Sequence, residues 1–174
     1  MKLGMLLGRF LPAPLVSLVY WLKFGCFVSP RAEVELSRWV TIGRRAQISS
    51  FTKIKASNGP LTIGRDVSIG TGCFLQSGTV GLSLGDDCLI GPHVTIVASN
   101  YRYDRLDVPI HRQGYTSRGV RIGSNVWLGV GVVVLDGSEI GDGAIVAPNS
   151  VVSGRLPPNT IARGDPAKVI FERR

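Results

Sequence analysis

The sequence predicts an all-β solenoid of hexapeptides, from three regularities that run through most of its length. An aliphatic residue returns every sixth position, a glycine often follows it, and a small or β-branched residue comes four positions after it. Ile122, Leu128, Val134, Ile140, Val146 and Val152 keep the step without a slip, and Leu36, Ile42, Ile48, Ile54, then Ile63, Ile69, Leu75, then Leu84, Ile90, Ile96 keep it upstream. A period of six fits neither the 3.6 of a helix nor the 2 of an alternating strand. A fixed repeat of this kind marks an array whose units bury their apolar positions by stacking on one another.

Within each hexapeptide the aliphatic fills the interior, and the small residue four positions on (Ala46, Thr52, Val67, Cys73, Cys88, Val94 and onward) fits where the chain bends. Glycine after the aliphatic is expected at the corner, where it tolerates backbone angles that a Cβ forbids. Three hexapeptides make one triangular coil of about eighteen residues, and coils stack at the ~4.8 Å spacing of hydrogen-bonded strands. A glycine-rich sandwich has no reason to hold this register.

Residues 1–27 stand outside the repeat. Phe10 to Leu22 is nearly uninterrupted apolar sequence, limited by Pro12, Pro14 and the flanking Arg9 and Lys23. It is shorter than the ~20 residues a bilayer span needs. An arginine near its start and no small-residue cleavage site set it apart from a secretory signal. Two readings stay open: a helix from about Pro14 to Phe24 that caps the open end of the solenoid, or a basic, aromatic-rich segment resting on the inner membrane surface. The repeat domain covers 28–170, and 171–174 form a basic tail.

The repeat is interrupted three times. Three extra residues fall at 57–60 (SNGP) and again near 78–81 (GTVG), where glycine and proline punctuate a turn. The third interruption, about 97–121, concentrates charged, amide and aromatic side chains. A long loop on a rigid scaffold is where binding and catalysis tend to reside.

With 174 residues the chain is long enough for one continuous core. Its net charge of +8 suits an acidic ligand. The basic residues are dispersed, with no aromatic platform between them, which argues against nucleic acid. Three cysteines, Cys26, Cys73 and Cys88, show neither metal nor redox spacing. That usage fits a reducing cytoplasm.

The stretch IGSNVWLGVGVVVLDGSEIGDGAIVAPNSVV, followed by PPNTIARGDPAKVI, resembles the hexapeptide-repeat acyltransferases, and within them the branch that acetylates sugars and polysaccharides. The resemblance covers roughly residues 28–170. It implies a left-handed parallel β-helix, although crossovers between parallel strands are generally right-handed. It also implies a homotrimer with sites between subunits, acetyl-CoA as co-substrate without a metal, and a sugar or glycan acceptor, lipid-linked in some cases. Direct attack by the acceptor hydroxyl is the family's chemistry, so a base, oxyanion donors and a groove for the pantetheine arm are required.

The family's catalytic histidine falls near the start of the long loop, where this chain has Ser99-Asn100-Tyr101. A phenol ionises near 10 and an imidazole near 6.5, so using Tyr101 as a base at neutral pH costs roughly 4 kcal/mol unless cations such as Arg102 and Arg105 lie beside it. The expectation is a slow or inactive catalyst on the standard chemistry. Two histidines remain. His93 sits in the hexapeptide before the loop and is either a surface residue or part of a subunit boundary, while His111 lies in the loop itself. Asp104, His111, Gln113 and Trp127 are candidate acceptor contacts, and Trp127 reads equally well as packing. By resemblance Gly129, Ala147 and Ser153 line the pantetheine groove, with Arg155, Arg163 and Lys168 as cations for the nucleotide phosphates. Arg155 stands near the place where the family usually has a Thr-Lys pair.

The runner-up is a non-catalytic trimeric scaffold or binding module that kept the groove and lost the base. Zinc hydratases on this fold need three histidine ligands and this chain has two histidines. A sugar nucleotidyltransferase needs an additional α/β domain, an ice-binding solenoid ranked threonines, and a serine acetyltransferase a larger helical region.

Overall fold

A computed structural model describes residues 12–174 of the chain. Residues 1–11, part of the N-terminal segment considered above, lie outside the described residues. The first element among the described residues is helix α1 (Ala13–Phe24). Pro12 precedes it and Pro14 stands in its first turn, where a missing N–H costs nothing. Gly25 ends it in the left-handed conformation (φ 64°), its N–H bonded to Trp21 O at 3.0 Å. Val16 and Tyr20 are buried against the first coil, and the Tyr20 hydroxyl donates to Glu35 O at 2.8 Å. No helix among the described residues is long and apolar enough to cross a membrane.

The rest is a left-handed parallel β-helix of six coils. Three strands form each coil and stack into three parallel sheets. Face A stacks β1 (Phe27–Val28), β4 (Gln47–Ile48), β7 (Ser68–Ile69), β10 (Leu89–Ile90), β15 (Trp127–Leu128), β18 (Ile145–Val146) and β21 (Thr160–Gly164). Face B stacks β2 (Glu33–Val34), β5 (Lys53–Ala56), β8 (Phe74–Ser77), β11 (Thr95–Val97), β16 (Val133–Val134) and β19 (Val151–Val152). Face C stacks β3 (Val40–Ile42), β6 (Leu61–Ile63), β9 (Leu82–Leu84), β14 (Val120–Ile122), β17 (Glu139–Ile140) and β20 (Arg155–Leu156). A last strand, β22 (Ala167–Glu172), folds back antiparallel on β21. The residues past 170 are therefore docked on the solenoid: Phe171 and Glu172 belong to β22, and Arg173 donates its N–H to Asn159 O at 2.7 Å and its guanidinium to Gly143 O.

The predicted aliphatics sit one above another: Ile48 pairs with Ile69, Ile69 with Ile90, Ile90 with Leu128 and Leu128 with Val146. Each is at most 1% exposed, which is what a column buried within the solenoid requires. Leu36 departs from the pattern, lying partly buried between β2 and β3. The small residues four positions after each aliphatic are buried as expected. Where they carry a hydroxyl it finds a backbone partner: Thr52 donates to Gly70 O (2.8 Å), Ser138 donates to Val152 O (3.0 Å), and Ser150 accepts from Gly164 N–H (3.1 Å). Buried polar groups without such partners are costly.

The glycine that follows the aliphatic differs from expectation. The left-handed corner falls two residues later, at Arg45, Asp66, Asp87, His93, Asn125 and Asn149, among others. Asparagine and aspartate tolerate that region best among side chains. The glycine is needed for a second reason, close stacking. A Cβ on Gly43 would lie 2.5 Å from Gly64 C, and one on Gly64 would lie 2.5 Å from Gly85 C. Backbone meets backbone there, so neither side can yield.

Two predictions follow from this packing. Gly64→Ala should lower stability by roughly 1–3 kcal/mol, because an extra methyl forces the backbone apart, as urea denaturation will measure. Burial pushes the Cys26 thiol from 9.0 up to about 11, and it raises Tyr20 as well. Above pH 9 the unfolded chain releases a thiol proton that the folded chain keeps, so stability falls as pH rises through that window. The melting temperature should be insensitive to this thiol below pH 9 and drop above it, with a shallower drop in Cys26→Ala.

Candidate functional site

The long loop leaves coil four between β11 and β14, at the corner between faces B and C. The two shorter interruptions occupy the same corner in coils two and three. Its base is a two-stranded hairpin of β12 (Asn100–Tyr101) and β13 (Tyr115–Thr116), with Asn100 opposite Thr116 and Tyr101 opposite Tyr115. Three groups fasten this base. Ser117 donates to Ala98 O at 2.7 Å and accepts from Val80 N–H at 3.2 Å. Asp136, one coil further on, accepts from the N–H groups of Arg118 (2.8 Å) and Gly119 (2.9 Å). Farther out a single turn of 3₁₀ helix runs over Ile110–Arg112.

Tyr101 and Tyr115 form the most defined chemical feature of the loop. Their rings lie 4.3 Å apart between centroids, and the Tyr115 hydroxyl donates to Tyr101 Oη at 2.7 Å. That bond first, and burial second, raises the Tyr115 pKa above the ordinary phenol value. Tyr115 is consequently a proton-bearing donor at neutral pH. Tyr101, whose oxygen accepts that bond, has its own O–H left to direct elsewhere.

Of the two cations that sequence offered to Tyr101, Arg105 is held by Asp107 through contacts of 2.6 and 3.2 Å, while Arg102 is exposed and its N–H bonds Gly114 O at 3.0 Å. Gln113 is consumed inside the loop: its amide donates to Arg105 O and Val108 O, both at 2.7 Å, and accepts from Arg105 N–H at 3.0 Å. It is a staple that shapes the loop. Asp104 and His111 are exposed on the outer part. Asn100 is exposed at the hairpin base beside Tyr101.

His93 takes the left-handed corner between β10 and β11 (φ 59°), its ring covering Gly72 of the coil before. That corner, between faces A and B, also carries most of the residues assigned to a cofactor. Since Leu128, Val146 and Ala162 stack in register, Gly129, Ala147 and Arg163 follow one another up the same edge. Lys168 pairs directly across the final hairpin from Arg163. Gly129 N–H bonds Val146 O at 2.9 Å, and Ala147 N–H bonds Ala162 O at 2.8 Å, so both backbone donors are already used within the solenoid. Ser153 and Arg155 lie apart, Ser153 at the corner between B and C and Arg155 on face C. Arg155 borders a depression of about 280 Å³ with Arg121, Glu139 and Pro158. Trp127 points outward from face A between Leu89 and Ile145, half-exposed. Face A is opposite the corner that bears the loop, so one chain does not bring Trp127 and Tyr101 together.

Tyr115, Ser117 and Asp136 went unnoticed in sequence. Tyr115 is fourteen residues from its partner across a loop without a repeat, and Asp136 looks like any other polar corner residue.

Two stretches match models of hexapeptide repeats: residues 119–154 match the bacterial transferase hexapeptide, and 60–97 the hexapeptide repeat of succinyl-transferase. Rv3034c of Mycobacterium tuberculosis, an acetyltransferase by name, is 35% identical over 143 residues, 82% of this chain and 45% of the relative. The galactoside O-acetyltransferase of Escherichia coli is 34% identical over 96 residues, 52% of this chain and 44% of the relative. The chain thus spans about half the length of the curated relatives it matches. Among solved structures, the N-acyltransferase AntD of Bacillus cereus shares the fold, with a TM-score of 0.78 at 20% identity over 90% of this chain and 88% of that one. The GDP-perosamine N-acetyl transferase of Caulobacter crescentus, solved with CoA and GDP-perosamine, has a TM-score of 0.64 at 26% identity over 86% of this chain and 58% of that one. Repeat and coil geometry define a left-handed β-helix protein built of hexapeptides. Over residues 60–97 and 119–154 the chain carries the repeats of the hexapeptide-repeat transferases, the proteins to which it is similar.

Asp136→Ala should leave two backbone donors unmet and destabilise the loop base by about 2 kcal/mol. The expected readout is faster tryptic cleavage at Arg102, Arg105 or Arg112, with cleavage elsewhere unchanged.

Proposed function

We propose that the protein is a CoA-dependent acyltransferase that moves an acetyl group from acetyl-CoA to a sugar hydroxyl, working as a homotrimer. The observation that carries this reading is the hairpin-based loop standing on a hexapeptide-repeat solenoid, with acetyltransferases, one of them acting on galactosides by its name, among the relatives. The column of Gly129, Ala147, Arg163 and Lys168 offers an uninterrupted edge for an extended thioester. Its two cations, side by side at the end, suit a phosphorylated nucleotide. The loop supplies the polar and aromatic groups for an acceptor.

The reaction requires the acceptor hydroxyl to attack the thioester carbonyl, losing a proton as the CoA thiolate gains one. Tyr101 holds the position of the base, with a phenol tied to Tyr115. A phenol orients a hydroxyl well and is a poorer general base than an imidazole, so turnover is slow. The separation of Trp127 from Tyr101 favours a site shared between subunits: a neighbour's face A would have to lie against the loop. Polysaccharide or lipopolysaccharide assembly in the cytoplasm is the setting that fits a sugar acceptor.

Titration calorimetry with acetyl-CoA tests the reading without knowledge of the acceptor. Affinity on the order of micromolar, weakened about tenfold by Lys168→Ala, is expected. Absence of heat at millimolar ligand would sink it. Tyr101→His should then raise the rate ~100- to 10,000-fold. The second reading, a binding module without catalysis, is favoured by the engagement of Tyr101 with Tyr115. It predicts that the histidine variant binds acetyl-CoA and still transfers nothing.

A further inference from the structure

A solenoid converts position in the sequence into position along an axis, so the two ends of the rod can be compared by composition. Residues 12–60 build helix α1, the first coil and most of the second, and hold seven Lys and Arg against two Asp and Glu. Residues 61–174 hold eleven against ten. Nearly all the excess positive charge of the described chain therefore sits at the N-terminal end.

Its placement there is regular. Arg31 stands at the A/B corner of the first coil, Arg38 at the B/C corner and Arg44 at the C/A corner, and all three are exposed. Lys23, at the end of α1, is exposed too. None of these four is in an ion pair among the described residues. Arg38 and Lys23 instead lie over the rings of Trp39 and Phe24, each at 4.9 Å. The acidic groups that face this end are already engaged, Glu33 by Lys53 at 2.6 Å and Glu35 by the Ala56 N–H at 3.0 Å.

Across this basic triangle lies α1, and its outward face is as apolar as its inward one. Val16 and Tyr20 face the coil, while Leu15, Leu18, Trp21 and Leu22 are 46, 46, 61 and 68% exposed. The helix has no acidic residue, and Lys23 is its one charge. A helix apolar on every side is normally buried on every side. What covers this one must accept a convex apolar ridge at its centre and a ring of cations around it. A second copy meeting it end to end would bring two positive ends together, which charge repulsion opposes.

We infer that the N-terminal end docks on the surface of an anionic phospholipid bilayer, with Leu15, Leu18, Trp21 and Leu22 entering the interface and Lys23, Arg31, Arg38 and Arg44 meeting the headgroups. Apolar entry plus several cations is the pairing that stable peripheral binding requires. The rod then stands on the membrane. Coil four, with its loop, is three coil spacings away, roughly 15 Å above the end. This inference is independent of the acyltransfer reading, because its test involves neither thioester nor acceptor.

The experiment is vesicle flotation of the full chain, with phosphatidylcholine vesicles alone and with vesicles mixing phosphatidylcholine and phosphatidylglycerol. Binding to the mixed vesicles, weakened by salt, and little to the neutral ones is expected. Trp21→Ser combined with Leu22→Ser should cut it at least tenfold while leaving the circular dichroism melt intact, since both side chains are largely exposed. Arg31→Gln with Arg44→Gln should cut it by about fivefold per charge. Absence of flotation by the folded wild type would overturn the proposal, and so would binding unchanged in the Trp21/Leu22 variant. Sedimentation that shows self-association lost in that variant, without vesicle binding, would assign the face to a second copy and overturn it equally.

Discussion

Coil-to-coil contact at backbone distance is the constraint on which the rest of this molecule depends. Every inner strand of the solenoid is hydrogen-bonded to the coils on both sides of it, and where glycine follows the aliphatic, as at Gly43 and Gly64, the chains meet with no room for a Cβ. Inward aliphatics can then stack column on column, since their axial spacing is set for them. The residues that turn each corner must take left-handed angles to return the chain on schedule, which is why asparagine, aspartate and glycine recur there. A change in any one coil is felt by its neighbours, and the structure is cooperative along its axis for that reason.

The same rigidity determines how function can be attached. The scaffold presents two useful lines, and they lie on different edges. One is the A/B edge, with His93, Gly129, Ala147, Arg163 and Lys168. The other is the B/C corner, with the loop and its pair of phenols. A single coil cannot bend to bring them together. Chemistry that uses both must recruit a second chain, and the loop is long enough, and fastened firmly enough by Ser117 and Asp136, to serve as the arm that reaches it.

Much of the fold was legible because its period is carried by the side chains that fill the interior. Ile48, Ile69, Ile90, Leu128 and Val146 stand in the sequence as they stand in the core. Glycine was legible in position but not in cause: a six-residue step does not reveal whether Gly64 turns a corner or makes room for Gly85. Contacts inside the loop were not legible, because they obey no period. Nothing in the order of residues joins Tyr115 to Tyr101, and nothing separates Gln113, a staple, from a glutamine free to meet a ligand. The edge shared by Gly129 and Lys168 became visible only when the last strand was seen to fold back.

All three interruptions of the repeat, at 57–60, at 78–81 and in the long loop, open from one corner, between faces B and C. The other two corners keep their hexapeptide length in every coil from the second to the fifth. Insertion at those corners would displace every glycine contact above it, whereas at B/C the added residues of successive coils stack on one another, Gly59 against Gly78 and Gly78 against Ala98, so the lengthening is carried within the stack. That edge is the seam along which this architecture can lengthen its chain, and descendants of the fold can acquire new specificities there without rebuilding the core.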